Sequence, residues 1–302
     1  MENVPGRFKP FPTIGIVVLH GIAAYVLLWR MFTFDFSRDP WRMATINFSW
    51  NAWLALFFMW GISGVLGISV GYHRFMVHRA FTCRPSVEKA LYLLAATALQ
   101  GDGISWGETH TQHHAHPDKK GDPHRPSEFC GGLRGWFWSH MAWICFKIIP
   151  AAPGYEAPQH FRRNPALLWQ KKYYWWLALS GLVFPYALAG WDGVLLAGFF
   201  RIVFVWHIIW SINSLCHIFG SPATSESGKV LKTQNARNFP LWCLFGVFGF
   251  ISGGESWHAN HHARQKSAYL GWRWYEIDPG RWAIAFFKKL GLVSDVRLPE
   301  KI

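Results

Sequence analysis

A chain of 302 residues that is 51% hydrophobic and 18% aromatic, with a mean hydropathy of +0.08, has the length of one or two soluble domains. Its apolar residues are instead bunched into four long runs, which excludes the soluble reading. The net charge of +13 would suit nucleic acid, but the Lys and Arg are sorted by segment, the pattern that orients membrane proteins, so nucleic acid is excluded as a partner.

The first run, Phe11 to Trp29, approaches the roughly 20 residues that a helix needs to cross a bilayer core of about 30 Å. It ends at Arg30 with no small-residue cleavage site, so it is expected to stay as a span and not be removed as a signal. A connection follows in which Asp35 and Asp39 balance Arg38 and Arg42. The second run, Phe48 to Tyr72, ends at His73. The segment 73–172 then holds thirteen Lys and Arg. Within it, Ala90 to Leu99 is too short to cross and is expected as an interfacial or re-entrant helix. Asp118 to Ser127 reads as a loop, Trp-rich Gly135 to Ile149 as a surface-lying stretch, and Pro150, Pro153 and Pro158 as a break.

Tyr173 to Trp191 and Val194 to Phe219 form the third and fourth runs, joined at Asp192-Gly193. Their one full charge at an interior position, Arg201, is expected to snorkel toward the headgroups. The tail 220–302 carries eleven Lys and Arg. In it Ser221 to Gly228 reads as a loop and Pro240 to Ser252 as another short apolar helix. Both basic segments therefore fall on one side, expected to be cytoplasmic, and both short connections fall opposite. The expected fold is an all-α integral membrane protein. Four transmembrane helices (11–29, 48–72, 173–191, 194–219) form two hairpins, under a cytoplasmic helical cap (73–172 and 220–302), all in one domain, 1–302. The five cysteines form no CxxC pair and suggest no disulfide framework.

Histidine carries the chemistry. Of fifteen, nine are concentrated in His73-Arg-Phe-Met-Val-His78, His110-Thr-Gln-His113-His114, His258-Ala-Asn-His261-His262, and His217 at the end of the fourth run. On a helix, positions i, i+3 and i+4 share a face, so each HxxHH string is expected to present three imidazoles to one point. Asn213 and His217 share a face in the same way. Imidazole is a good ligand for first-row transition metals, and eight or more exceed what one ion binds, so two ions are expected. The isolated histidines (His20, His116, His124, His140, His160, His207) read as hydrogen-bonded interfacial residues. The chain crosses the membrane twice between the second and third strings, so all of them return to one side.

The order HRFMVH, HTQHH, NSLCH and WHANHH resembles the membrane-bound fatty acid desaturases of the Δ9 (stearoyl-type) group, as do the flanks GDPHRP, SHMAW (Ser139 to Trp143) and GES before the third string. The likeness runs from about Gly71 to Leu292. It implies a di-iron site held by His73, His78, His110, His113, His114, His217, His258, His261 and His262, with Asn213 acting through a water. It implies too that Gln100 and Trp106 stand where the family bends its buried acyl tunnel, which would fix which C–H bonds face the metals. Two places depart from the family. Glu108-Thr109 replaces the Arg-Asp of acyl-CoA desaturases, and Arg264-Gln265 replaces the usual Phe-Pro, so CoA, a carrier protein and an intact lipid stay open as acyl carriers.

The expected reaction is O₂-dependent insertion of a cis double bond into a saturated acyl chain. An unactivated C–H bond is too weak an acid for any side-chain base, so the metal must carry the hard step. Electrons are expected from a separate ferredoxin or cytochrome b5 type protein; Lys119, Lys120, Arg162, Arg163, Lys171 and Lys172 either steer that donor or only set the topology. The rival with the same chemistry is a di-iron membrane hydroxylase acting on a lipid or alkane. A metal transporter would place ionisable ligands at mid-depth in its spans, and these strings flank the spans.

Overall fold

Helices begin where the sequence supplies both an apolar run and a start signal. Ser49 caps the helix Trp50–Trp60 by accepting from Ala52 N, and Asp102 caps Gly103–Ala115 through Ile104 N and Ser105 N. Asn164 with Pro165 starts Pro165–Ser180, and Asp278 with Pro279 starts Pro279–Lys289. Each cap satisfies backbone N–H groups that the first turn leaves without partners. A computed structural model describes residues 8–32, 48–127, 131–146, 155–239 and 247–299. The connection at 33–47, Cys130, Cys243, Pro150, Pro153 and the first part of the Pro240 to Ser252 run lie outside the described residues. Cys83, Cys145 and Cys216 are free thiols.

Three helical stretches are long and apolar enough to cross a membrane: Pro10–Arg30, Trp50–Val77 and Pro165–His217. The third, 53 residues long, contains the third apolar run of the sequence and all but the last two residues of the fourth. Straight, it would reach about 80 Å. It is not straight: Ala189 and Gly190 leave helical geometry, and beyond them the chain folds back so closely that a Cβ on Gly198 would lie 2.7 Å from Leu182 Cδ2. Beside this turn Asp192 forms an ion pair with Arg30, at the end of the first helix.

Arg201 departs from expectation. It does not snorkel; it is wholly buried, donating from Nη1 to Thr97 O at 2.6 Å and from Nε to Ala197 O at 3.0 Å. Thr97 ends the helix Pro85–Ala96, so the guanidinium meets that helix's negative end. The Ala90 to Leu99 run lies largely on this helix. It packs backbone to backbone on the second apolar stretch, where a Cβ on Gly67 would stand 2.6 Å from Ala95 N. Around this contact Trp60, Ile68, Tyr72, Tyr92, Leu167 and Val205 form the principal core.

Two short strands, Thr82–Cys83 and Val293–Ser294, pair antiparallel. Arg297 N donates to Ala80 O, and Ala268 N donates to Arg297 O, both at 2.8 Å. These bonds hold the last described segment against the chain just beyond the first and third histidine strings.

Candidate metal centre

The first string depends on how its helix is wound. After Trp60 the helix continues through Gly61–Val77 with i→i+5 turns. In an α-helix residues five apart point about 140° away from each other. In the wider winding the donor and acceptor of each bond are five apart and stack. His78 N accordingly donates to His73 O at 3.1 Å, and the His73 and His78 rings lie 4.8 Å apart between centroids.

The second string lies on Gly103–Ala115, the third on the short helix His258–Ala263, and His217 closes the turn Leu215–His217. The nine rings form two groups, with ligand nitrogens in each lying within 4.8 Å of one another: His73, His78, His110, His114 and His261 in one, His113, His217, His258 and His262 in the other. The strings therefore do not each converge on a single point. His110 and His114, four apart, serve one group while His113 serves the other; His258 and His262 stay together while His261 crosses over. At about 100° per residue, i and i+4 point only about 40° apart, whereas i+3 and i+4 point about 100° apart.

The spacing of the Nε2 atoms tests the site for ions. In the five-membered group the separations are 3.1 Å (His73–His261), 3.2 Å (His78–His110), 3.0 Å (His110–His114) and 3.0 Å (His114–His261). In the four-membered group they are 2.9 Å (His217–His258), 3.1 Å (His258–His262) and 3.4 Å (His113–His262). Two nitrogens each about 2.1 Å from one ion and at right angles to each other stand about 3.0 Å apart. Neutral imidazole nitrogens without protons cannot bond to one another, and a shared cation resolves their crowding. The residues fit two metal ions.

Carboxylates brace the outer nitrogens. His113 Nδ1 lies 2.9 Å from Asp122 Oδ2, His217 Nδ1 3.0 Å from Asp118 Oδ1, and His73 Nδ1 2.6 Å from Glu255 Oε2. An Nδ1–H directed at a carboxylate fixes the tautomer and leaves the Nε2 lone pair facing inward. These acids went unassigned in the sequence, although the GDPHRP and GES flanks contain two of them. His124, read from sequence as an isolated histidine, stands beside Asp122 and 4.5 Å from the His113 ring between centroids.

Burial, and next the proximity of other imidazoles, pushes His78, His110, His114, His258, His261 and His262 well below the usual histidine range. They are thus neutral and able to ligate near pH 7. Burial opposes protonation of His113 too, but Asp122 outweighs it and the net shift is upward. Burial would raise Asp122, yet His113 and His124 hold it below the usual carboxylate range.

Trp106 is stacked on His110 with ring centroids 4.8 Å apart, and Tyr72 adjoins it at 5.6 Å. Gln100 sits in a tight turn between Leu99 and Gly101, with φ of 55° and 93°, and its Nε2 is buried without a hydrogen-bond partner. Asn213 is half-buried one helical turn before His217. Glu108 is paired with Arg162, and Thr109 Oγ1 donates to Ser105 O. Three more isolated histidines join in a chain away from the metal groups: His20 Nε2 to His207 Nε2, and His207 Nδ1 to His140 Nε2, each 2.9 Å.

Nine clustered imidazoles, with His73, His78 and His217 at the ends of long apolar stretches and the other six on two shorter helices, define a histidine-rich, metal-binding kind of protein with membrane-length helices. The chain belongs to the fatty acid desaturase family, whose model matches residues 47–287, and it is accordingly an oxidoreductase that desaturates fatty acyl chains. It is 35% identical to the sn-1 stearoyl-lipid 9-desaturase of Anabaena variabilis, over 82% of this chain and 84% of that protein. It is 36% identical to the hex-5-enoyl-[acyl-carrier protein] acetylenase of Moorena producens (strain JHB), over 80% and 75% respectively. The Delta-9 acyl-lipid desaturase 2 of Arabidopsis thaliana is 34% identical over 82% of this chain and 76% of its own length.

Proposed function

We propose that the protein is an O₂-dependent di-iron desaturase that introduces a cis Δ9 double bond into a saturated acyl chain carried on a membrane lipid. The observation that carries this reading is the division of nine imidazoles into facing groups of five and four. Bound there, two irons would supply the O₂-derived oxidant that an unactivated methylene requires. His73, His78, His110, His114 and His261 hold one ion. His113, His217, His258 and His262 hold the other, with Asn213 completing its set through a water. Trp106, stacked on His110, and Gln100, in the turn beneath it, line a bent slot that excludes water and sets which carbons stop beside the metals.

The acyl-lipid carrier is favoured by Glu108 and Thr109. A CoA phosphate would need a cation there, but Glu108 is an anion already engaged with Arg162, and Thr109 is satisfied within its own helix. Two of the relatives above are named for lipid-linked substrates, which agrees with this choice.

The proposal includes a four-span arrangement in one domain, with the site on the cytoplasmic side where the basic segments fall. Breaking the third apolar stretch at Ala189 and Gly190 gives two antiparallel spans. The Arg30–Asp192 pair then ties the end of the first span to the turn between the third and fourth. Electrons come from a separate ferredoxin or cytochrome b5 type protein. Expressing the protein in a host that makes no unsaturated fatty acids, and locating the new double bond by mass spectrometry of the intact lipids, tests the proposal. Growth rescue with a Δ9 lipid is expected; hydroxy fatty acid without alkene would replace desaturation by hydroxylation.

A further inference from the structure

The two histidine groups differ in what lies outside them. The five-membered group faces Trp106 and Tyr72, the side of the acyl slot proposed above. In the four-membered group His113, His217 and His258 are buried and His262 alone is half-buried. His262 opens onto a pocket of about 530 Å³ whose lining includes Arg264, Gln265, Lys266, Arg297 and Leu298. Among the described residues the lining holds three cations and no acid, and neither Lys266 nor Arg297 enters an ion pair. The floor is anchored through the backbone bonds of Arg297 to Ala80 and Ala268. Arg264-Gln265 is also where this chain departs from the Phe-Pro of the desaturases it resembles, so the charge belongs to this chain.

We propose that this pocket is the docking surface for the electron donor, a small acidic protein carrying a one-electron centre, and that electrons enter through His262. The inference rests on the desaturase reading above. It places the contact on the residues around the third histidine string and not on Lys119, Lys120, Arg162, Arg163, Lys171 and Lys172. The redox balance requires such a port. Making one double bond releases two electrons and two protons from the acyl chain, while O₂ needs four electrons and four protons to become two waters. Two encounters with the reduced donor supply the missing two electrons, two protons follow from solvent, and the donor leaves oxidised each time. Cations around a recess concentrate an acidic partner and orient it. The recess brings that partner's edge to an imidazole belonging to the metal set, so the route inward is the shortest the four-membered group offers.

The test uses the full-length protein in lipid nanodiscs, loaded with iron, and an acidic [2Fe–2S] ferredoxin as probe. Its affinity is measured by calorimetry at several ionic strengths. Lys266→Glu and Arg297→Glu are each expected to weaken binding about tenfold at low salt and to flatten the salt dependence. Lys171→Glu is expected to leave both as in the unaltered protein. KM for ferredoxin should rise in the pocket variants while KM for the acyl lipid stays constant. Iron content and thermal midpoint, unchanged, exclude misfolding; should either variant fail to fold, Lys266→Gln and Arg297→Gln are used in the same assay. Equal ferredoxin affinity in all the pocket variants overturns the proposal. So does a rise in acyl-lipid KM alone, which would make the pocket a lipid-headgroup site. If the unaltered protein with reduced ferredoxin forms no double bond, it is the desaturase reading that fails.

Discussion

Arg74 and Asp278 form a two-pronged ion pair, Nη1 to Oδ2 at 3.1 Å and Nη2 to Oδ1 at 2.9 Å, with no solvent reaching either side chain. Arg74 follows His73 directly, and Asp278 starts the helix Pro279–Lys289. Arg74 also donates to Gly253 O and Ala268 O, on either side of the third string. Glycine at 280 makes room for it, since a Cβ there would lie 2.7 Å from Arg74 Cζ. This pair thus locks the first string to the third.

Removing Arg74 leaves the buried Asp278 carboxylate without its cation, at a cost of about 3–5 kcal/mol, while removing Asp278 leaves Arg74 only the longer contact to Glu255, at 3.5 Å. Arg74→Met or Asp278→Leu alone should sharply lower the thermal midpoint and the iron content. The double variant should recover much of the stability, as a double-mutant cycle followed by thermal unfolding would reveal.

The division of ligands predicts metal stoichiometry. His114→Ala removes a nitrogen from one group, and His262→Ala from the other. Each variant should retain about one iron per chain and not two, and neither should make product. Elemental analysis alongside lipid profiling checks this, and full activity with one ion would rule out a cooperative pair.

Asp118 and Asp122 reach the metal groups through the outer nitrogens of His217 and His113, and Asn in either place keeps an oxygen to accept from the backbone N–H groups of Asn235, Asp118 and His124. Asp118→Asn and Asp122→Asn should therefore keep the fold but weaken iron binding about 10–100-fold. Competition with a chelator measures the change.

The metal-free protein should be acid-sensitive. Burial first, and then His207 and His20, push His140 down to about 4 from 6.5. Between those values the unfolded chain binds more protons than the folded one, so stability falls as pH drops through that window. Thermal midpoints of the apo protein should decline from pH 7 to pH 5, and His140→Phe should shed part of that slope.

Trp106→Ala should change the chain length accepted or the position of the double bond while iron content stays the same. Positional analysis of the products decides whether Trp106 lines the slot.

Much of the site could be read from the order of residues, because histidine four apart on a helix means the same thing wherever the helix sits. His110 with His114, and His258 with His262, needed nothing further. The assignment of His113 and His261 to opposite groups did, since it depends on how two helices face each other. His73 and His78 required the wide turns of Gly61–Val77, which no α-helical template supplies. The carboxylate partners escaped for a different reason: Asp118 and Asp122 lie in a loop, where spacing carries no direction. Arg201 misled because its distance from the end of an apolar run suggested an escape route. The carbonyls of Thr97 and Ala197, remote or unremarkable in sequence, offered a closer one.

Each HxxHH helix contributes to both groups, and this makes the two centres mechanically one object. Turning either helix by a few degrees would draw ligands toward one ion and away from the other. A ligand shell of this kind could not slacken around a single ion, so the interval between two bound ions would be set by the pitch of two short helices. Selection acting on either centre would act on its neighbour as well.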